Sequence, residues 1–319
     1  HGVSRCKVPA CSSLSAGSQF ATAVLVRTKL AALLLAAATA STTACGHDSA
    51  PAGPTSQTAA ARAPVTLKVM TFNIQHGIDG RSRYNIQTAI DVIARVQPDI
   101  VGLQEVTRNH PFYNCDDQPA RIVDGVRAAT GQNWDVTYQQ EWFTPDVSCQ
   151  ASGRGDGRET EGLAFVTRRG LGGVATTTLP DTRIGLQTTV RDAYGLPVVV
   201  THLASGSSAS ATRRQQLDKL LAWTASFGAP IVMVGDFNAG PDNAEMQPVF
   251  AGFHDAWSDA LQLGHATGNA NSHGSNRIDY IFFSPGSTLS LISAEVVNTT
   301  ALVGIAASDH EPVVATFTV

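Results

Sequence analysis

The chain has 319 residues, and its formal net charge of −4 hides an uneven distribution. The residues after 64 hold 17 of the 22 Lys and Arg but 25 of the 26 Asp and Glu, a net of −8, and no basic tract occurs among them. Non-specific nucleic-acid binding depends on clustered Lys and Arg set against phosphates, so this balance argues against long duplex DNA as the substrate.

The first 64 residues are rich in Ala, Ser and Thr and carry no chemical motif. Leu30 to Ala40 (LAALLLAAATA) is an apolar run of eleven preceded by Arg27 and Lys29. A run that short, basic in front and small behind, reads as a signal-peptide core rather than a membrane-spanning helix, so export is expected. Residues 1–25 look unlike any targeting signal, and we read them as a gene-model extension upstream of a start at Val26. Residues 26–45 then form the signal peptide. Thr42-Thr43-Ala44-Cys45-Gly46 resembles a bacterial lipoprotein cleavage box, with Thr42 where Leu or Val is usual. Cys45 is either a site of lipid attachment, which would anchor the chain to a membrane, or a bystander of simple secretion. Residues 46–64, rich in Pro, Ala, Thr and Ser, read as a disordered linker. The remaining stretch, 65–319, suits one large domain.

In that domain Val65 to Asn73 is predicted as a strand ending VMTFN. Asn85 to Val96 follows as a helix with Ile86, Ala89, Ile90 and Ile93 on one face, ended by Pro98. Ile100 to Val106 (IVGLQEV) is the next strand, and Pro119 and Gly131 bracket a second helix with Ile122, Val123 and Val126 inward. Thr160 to Thr167 reads as a strand, and Gln187 to Val190 with Pro197 to Thr201 as a hairpin around Asp192 to Gly195. Thr212-Arg213-Arg214-Gln215 reads as a capping box opening a helix through Leu217, Leu220, Leu221 and Trp223. Ile231 to Pro241 (IVMVGDFNAGP) is a buried strand running into a tight turn. Arg277 to Phe283 (RIDYIFF) and Ser308 to Val314 (SDHEPVV) close the chain, and no repeats occur.

These strands share a habit: an apolar run delivers polar groups at its end. Asp236 and Asn238 form either a catalytic edge, able to orient a water and grip a phosphate oxygen, or an ordinary Asx turn. Glu105 is either a ligand for a hard divalent cation or a solvated strand end. His202, after three valines, is either a catalytic group or a half-buried imidazole with its needs met. Cys115 and Cys149 are the two cysteines of the domain, and in an exported chain they most simply form one disulfide; no His or Cys lies at metal-ligand spacing beside either. Neither Ser nor Cys sits in a nucleophile elbow.

Taken in order, VMTFN, IVGLQE, VVVTH, IVMVGDFN, RIDYIFF and SDHEPVV resemble the motif set of the endonuclease/exonuclease/phosphatase superfamily, also called DNase-I-like, from Val65 to the C-terminus. The resemblance implies an α/β (α+β) fold, a four-layer sandwich of two packed mixed β-sheets flanked by helices. It implies that Glu105 is the principal metal ligand, with Asn73 beside it helping to hold metal and phosphate and Asp309 close by. Magnesium is the implied cofactor, with manganese or calcium as substitutes. Asp236 would orient and deprotonate water, Asn238 and Asn73 would hold phosphate oxygens, and Asp279 would fix His310. That histidine would act as a base or stabilise phosphate charge. His202 would face the leaving group, paired with Glu161, although Glu159 and Glu161 are hard to tell apart. Arg154, in the loop Ser152 to Arg158 (SGRGDGR), belongs either to a phosphate-gripping lid or to a mobile surface loop. His76, Arg81, Arg83 and His273 are further candidate substrate contacts. Thr107 departs from the subgroup, where an acid commonly follows LQEV.

The function so implied is metal-assisted attack of water on a phosphodiester or phosphomonoester by an exported enzyme. A small phosphoester or lipid headgroup is the favoured substrate and an extracellular nuclease the alternative. A non-catalytic lipoprotein that binds a phosphorylated ligand is the rival of another class. No obligate protein partner is evident.

Overall fold

The structure is a computed structural model that describes residues 62–145, 147–286 and 288–319. The expected leader, Cys45 and residues 46–61 of the expected linker lie outside the described residues. Among those described, no helix is long and apolar enough to cross a membrane.

The elements run β1 (Thr66–Asn73), α1 (Ile86–Val96), β2 (Ile100–Arg108), α2 (Gln118–Thr130), β3 (Asp135–Pro145), α3 (Ser148–Ala151) and β4 (Arg158–Thr167). They continue with β5 (Leu171–Thr178), β6 (Ile184–Val190), β7 (Leu196–His202), α4 (Ser210–Thr224), β8 (Val232–Asp236) and α5 (Gln247–Gly252). Last come β9 (His254–Asp255), α6 (Ala256–Gln262), β10 (Ala266–Thr267), β11 (Asp279–Phe283), β12 (Ser290–Val296), α7 (Thr299–Val303) and β13 (Val313–Thr318). One sheet has seven strands in the order β10-β12-β13-β1-β2-β4-β3, the other six in the order β5-β6-β7-β8-β11-β9. Both are mixed, with β1 and β2 parallel in the first and β7 and β8 parallel in the second.

The central strands are apolar on both faces, as a four-layer sandwich requires. Leu67, Val69, Phe165, Val200, Val234 and Phe317 pack between the sheets. Met70 and Phe72, on the opposite face of β1, pack with Ile90, Ile93, Ile122 and Val126 of α1 and α2. On the far side Val199, Met233 and Phe282 meet Leu217 and Leu220 of α4. Truncating a residue such as Ile90 to Ala would cost about 2–5 kcal/mol by opening a cavity.

The first two helices follow their sequence signals. Helix α1 buries Ile86, Ala89, Ile90 and Ile93 and closes on Gln97 at φ 50. Helix α2 opens with Asp117 accepting from the Ala120 N–H, and closes on Gly131 at φ 67. Helix α4 departs from expectation. It begins at Ser210 rather than at a Thr212 cap, and no side chain caps it. Tertiary contacts fix this end instead: the buried guanidinium of Arg213 bonds Glu245 Oε1 at 2.8 and 3.0 Å, and Ser210 Oγ donates to Glu245 Oε2 at 2.8 Å. Strand β4 begins at Arg158, two residues earlier than predicted. The Cys115–Cys149 disulfide is present.

Candidate active site

Register between strands assembles half of the site. His202 on β7 is the direct partner of Asp236 on β8, and Asp279 on β11 is the partner of Asp236 on the other side. Residues directly opposed across strands share one face of a sheet, so the three polar groups form a single rung. All three are buried. Gly235 permits the rung, because at φ 153 a Cβ on it would lie 2.1 Å from the Thr201 carbonyl oxygen.

The turn after β8 is an Asx turn that engages one oxygen of Asp236 and leaves the other to face the site. Its Oδ1 accepts from the Asn238 N–H at 2.8 Å, an Asx turn with Asn238 at φ 50. Its Oδ2 is left facing Asn73 Nδ2 at 3.1 Å, His202 Nε2 at 3.5 Å and His310 Nε2 at 3.8 Å. The Asn238 side chain donates to the Leu203 carbonyl at 3.0 Å, which pins the turn to the end of β7.

The first sheet arrives less regularly. Asn73 ends β1 opposite Gln104, and the β2–β4 pairing slips between Leu103 and Val106. Glu105 sits in that irregularity at φ 56, a conformation that re-aims its side chain out of the strand. Asn73 Nδ2 bridges Glu105 Oε1 at 3.0 Å and Asp236 Oδ2, so one buried amide ties the two sheets together. Its Oδ1 accepts from the Gln75 N–H at 3.0 Å. His76, at φ 54, brings Nε2 to 3.2 Å from Glu105 Oε2. Buried Gln118, which sequence reasoning missed, accepts from the Thr107 N–H at 2.8 Å and donates to the His76 carbonyl at 2.7 Å. The Thr107 hydroxyl, where the subgroup commonly has an acid, is buried without a hydrogen-bond partner.

The loop before β13 supplies the last pieces. Ser308 Oγ donates to the Asn73 carbonyl at 2.8 Å and accepts from the His310 N–H at 3.1 Å. His310 Nδ1 donates to Asp279 Oδ2 at 2.8 Å. The His273 ring lies tilted against that of His310, with centroids 4.5 Å apart, and is 3.6 Å from Asp309 Oδ2. Burial opposes charge on His310, but Asp279, then Asp236 and Asp309, outweigh it and raise its pKa to about 10. Burial, then the Asp279 charge, push the Asp236 carboxyl up. Burial and the Arg183 guanidinium push His202 well down.

The two glutamates of β4 separate cleanly. Glu161 lies 3.7 Å from His76 Nδ1, is hydrogen-bonded by Trp142 and is pushed up by burial, whereas Glu159 pairs with His110 at 2.8 Å. Glu161 comes close to His202 without bonding it, because His202 Nδ1 is taken by Arg183 at 3.0 Å. Arg183 in turn bonds Glu141 at 3.0 Å, and neither residue was anticipated. Arg154 bonds Asp116 at 3.1 Å and Asp156 accepts from Asn109, so the SGRGDGR loop is tied back to the segment around Cys115. Among the described residues no ion pair holds Arg81 or Arg83.

Two packed mixed sheets flanked by helices, with the rung at one edge and a strand-end carboxylate beside it, define a DNase-I-like hydrolase fold. The chain belongs to the endonuclease/exonuclease/phosphatase family, whose sequence pattern matches residues 70–310. Members of the family are hydrolases of phosphoester bonds. Among solved structures, an endonuclease/exonuclease/phosphatase from Beutenbergia cavernae is 26% identical with a TM-score of 0.61, covering 79% of this chain and 71% of that one. The human Nocturnin catalytic domain with a bound sulfate anion (20%, TM-score 0.57, 80% and 97% covered) shares the fold. So does a Bacteroides thetaiotaomicron mannosyl-6-phosphatase (18%, TM-score 0.54, 79% and 99% covered). A search of curated proteins found no match.

Family members commonly use divalent metals, and the donor set here suits one. Glu105 and Asp309 present carboxylates that are 21% and 44% exposed, hard oxygen donors that leave room for the waters such a cation keeps. Among the described residues three groupings, none of which includes Glu105, bring ligand atoms within 4.8 Å: His273, Asp309 and His310; Asp236, Asp279 and His310; Glu141, Glu161 and His202. The second is already joined by the His310–Asp279 bond, and Arg183 stands in the third.

Proposed function

We propose that the chain is an exported, magnesium-dependent phosphoester hydrolase that acts by direct attack of water. The convergence of Asn73, His202 and His310 on one oxygen of buried Asp236 carries this reading. A carboxylate whose pKa is pushed up accepts a proton near neutral pH, which suits Asp236 to take the proton of the attacking water. A new oxygen–phosphorus bond forms as the ester bond breaks. His310, held charged by Asp279, faces the negative phosphoryl oxygens. A cation on Glu105 and Asp309 would neutralise charge growing on those oxygens. The departing alcohol oxygen lies on the His202 side.

For the substrate we favour the phosphate ester of a small polyhydroxylated alcohol. The acidic balance supports this. So does a hollow of about 410 Å³ lined by Asp242, Asn243, Asn271, Asn276 and Arg277, whose first lining residue, Gly240, comes two residues after Asn238 in the chain. The sugar phosphate in the name of one fold relative is of the same class. A lipid headgroup is the second reading, favoured by Phe112 and Val147, which are 84% and 66% exposed near the disulfide. The disulfide supports an oxidising compartment and hence the expected leader, with lipid at Cys45 as its anchored form.

The test is hydrolysis of sugar phosphates, inositol phosphates, phospholipid vesicles, RNA and DNA, each with magnesium and with chelator. Chelator-sensitive release of phosphate from the small esters is expected. Cleavage of nucleic acid alone would transfer the chain to the nuclease reading, and silence on every substrate would favour the binding lipoprotein.

A further inference from the structure

The Arg183–Glu141 pair has no part in the chemistry above, yet it reaches the site. Arg183 immediately precedes β6, and its Nη1 lies 3.0 Å from both His202 Nδ1 and Glu141 Oε2. Glu141 comes from β3, its side chain is fully buried, and its Oε1 has no hydrogen-bond partner. A buried ion pair with an unmatched oxygen adds little net stability, since desolvation offsets its attraction. Its geometry, however, dictates a proton position.

A guanidinium carries only donors. Nδ1 of His202 must therefore offer its lone pair to Arg183, and the ring proton must sit on Nε2. That Nε2–H points to the centre of the site, 3.5 Å from Asp236 Oδ2. Adding a proton to Nδ1 would set two donors face to face in a buried space. The charged and titratable groups around the ring are Arg183, Asp236, Glu141 and Glu161, with His310 and His76 acting at longer range. Burial and the three cationic or ionisable nitrogen groups disfavour the imidazolium, and the carboxylates, of which Asp236 is nearest, favour it.

We propose that Arg183 is a positioning residue that locks His202 in its neutral Nε2–H tautomer, so that His202 serves hydrolysis as a hydrogen-bond donor rather than as an acid. The tautomer follows from the Arg183 contact alone; its use in hydrolysis rests on the phosphoesterase reading. His202 then stabilises charge on the departing oxygen while keeping its own proton, and solvent water supplies the proton that completes the alcohol.

Nitrogen-15 NMR of the full chain labelled at histidine reads the tautomer directly, with His202→Gln used to assign the signal. The expected result is a single neutral Nε2–H form from pH 5.5 to 8.5. A proton on Nδ1, or a charged ring at pH 7, overturns the proposal whether or not any ester is hydrolysed. The double variant Arg183→Met/Glu141→Gln removes the guanidinium without stranding a buried charge. In it His202 should titrate within that pH range and kcat should fall about tenfold or more with KM within twofold, while Arg183→Lys should keep the tautomer. An unchanged tautomer and pH profile in the double variant also overturns the proposal. If the double variant does not fold, the native spectrum decides alone. Failure to hydrolyse any ester would remove the phosphoesterase reading and leave the spectrum to judge the tautomer.

Discussion

The two sheets contribute to the site in opposite ways. The second sheet presents His202, Asp236 and Asp279 in one hydrogen-bonded rung, all of them buried at the ends of regular strands. The first sheet reaches the same space through irregular backbone, with Glu105 in a slipped register and His76 in a turn, both at positive φ and both partly open to solvent. Regular pairing inside a dry core holds titratable groups against one another and moves their pKa values apart. An irregular, wetter edge leaves carboxylates within reach of the solvent that a hydrated cation brings with it. On the proposed reading proton handling would fall to the rung and cation handling to the edge, and Asn73, bonded to Glu105 and Asp236 at once, is the joint between them.

The largest effect should come from the rung. Asp236→Asn keeps the size but has a single acceptor oxygen for the Asn238 N–H and the Asn73 amide and cannot accept a proton, and we expect kcat to fall about a thousandfold with the metal requirement unchanged. A variant that lost metal affinity instead would show that the two roles are not divided between the sheets. Next is Asp279→Asn. Burial alone would depress the charged form of His310, and Asp279 is the largest of the groups that raise its pKa to about 10. A group whose folded pKa is raised contributes stability below its unfolded pKa and loses it as pH climbs through the folded value. The native chain should therefore exceed Asp279→Asn by about 2 kcal/mol near pH 6, with the gap closing as pH passes about 10. Chemical denaturation at a series of pH values measures it; a gap that widened at high pH would reverse the assigned charge.

The rung was the legible half. Each of His202, Asp236 and Asp279 adjoins an apolar strand run, and side-chain alternation carries such groups to one face without help from distant sequence. Helices α1 and α2 were legible for the same local reason, since their apolar spacing and their Pro and Gly signals lie within the element. Glu141 and Arg183 were not. Strand β3 carries Gln139, Gln140 and Glu141 in sequence and looks solvated. Glu141 falls in the slip of the β3–β4 pairing between Gln140 and Trp142, and the arginine that bonds it is 42 residues away. The start of α4 failed similarly, because the Arg213–Glu245 pair, 32 residues apart, overrides the local cap. Chemistry at strand ends is written locally, whereas the groups that steer it are set by packing.

The edge should respond more weakly and in a different variable. Glu105→Gln should raise the magnesium concentration for half-maximal rate about tenfold or more, since even indirect losses around a metal cost that much. A metal titration superimposable on that of the native chain would move the ligand elsewhere. The smallest effect, and the sharpest test of the division, is Gln118→Ala. This amide holds the Thr107 N–H and the His76 carbonyl together, and so braces the two turns that carry Glu105 and His76. Its loss leaves both backbone groups without this partner, at a cost of about 2 kcal/mol in stability. With the brace gone the positive-φ conformation of Glu105 is less firmly imposed, so the magnesium midpoint should rise by about threefold, less than the loss of a side chain bonded directly to a metal ligand because Gln118 touches only backbone here. At saturating magnesium kcat should be untouched, because no member of the rung touches Gln118. A drop in kcat that excess magnesium does not restore would mean that strain at the first sheet's edge is felt by the proton-handling groups, and that Asn73 transmits it.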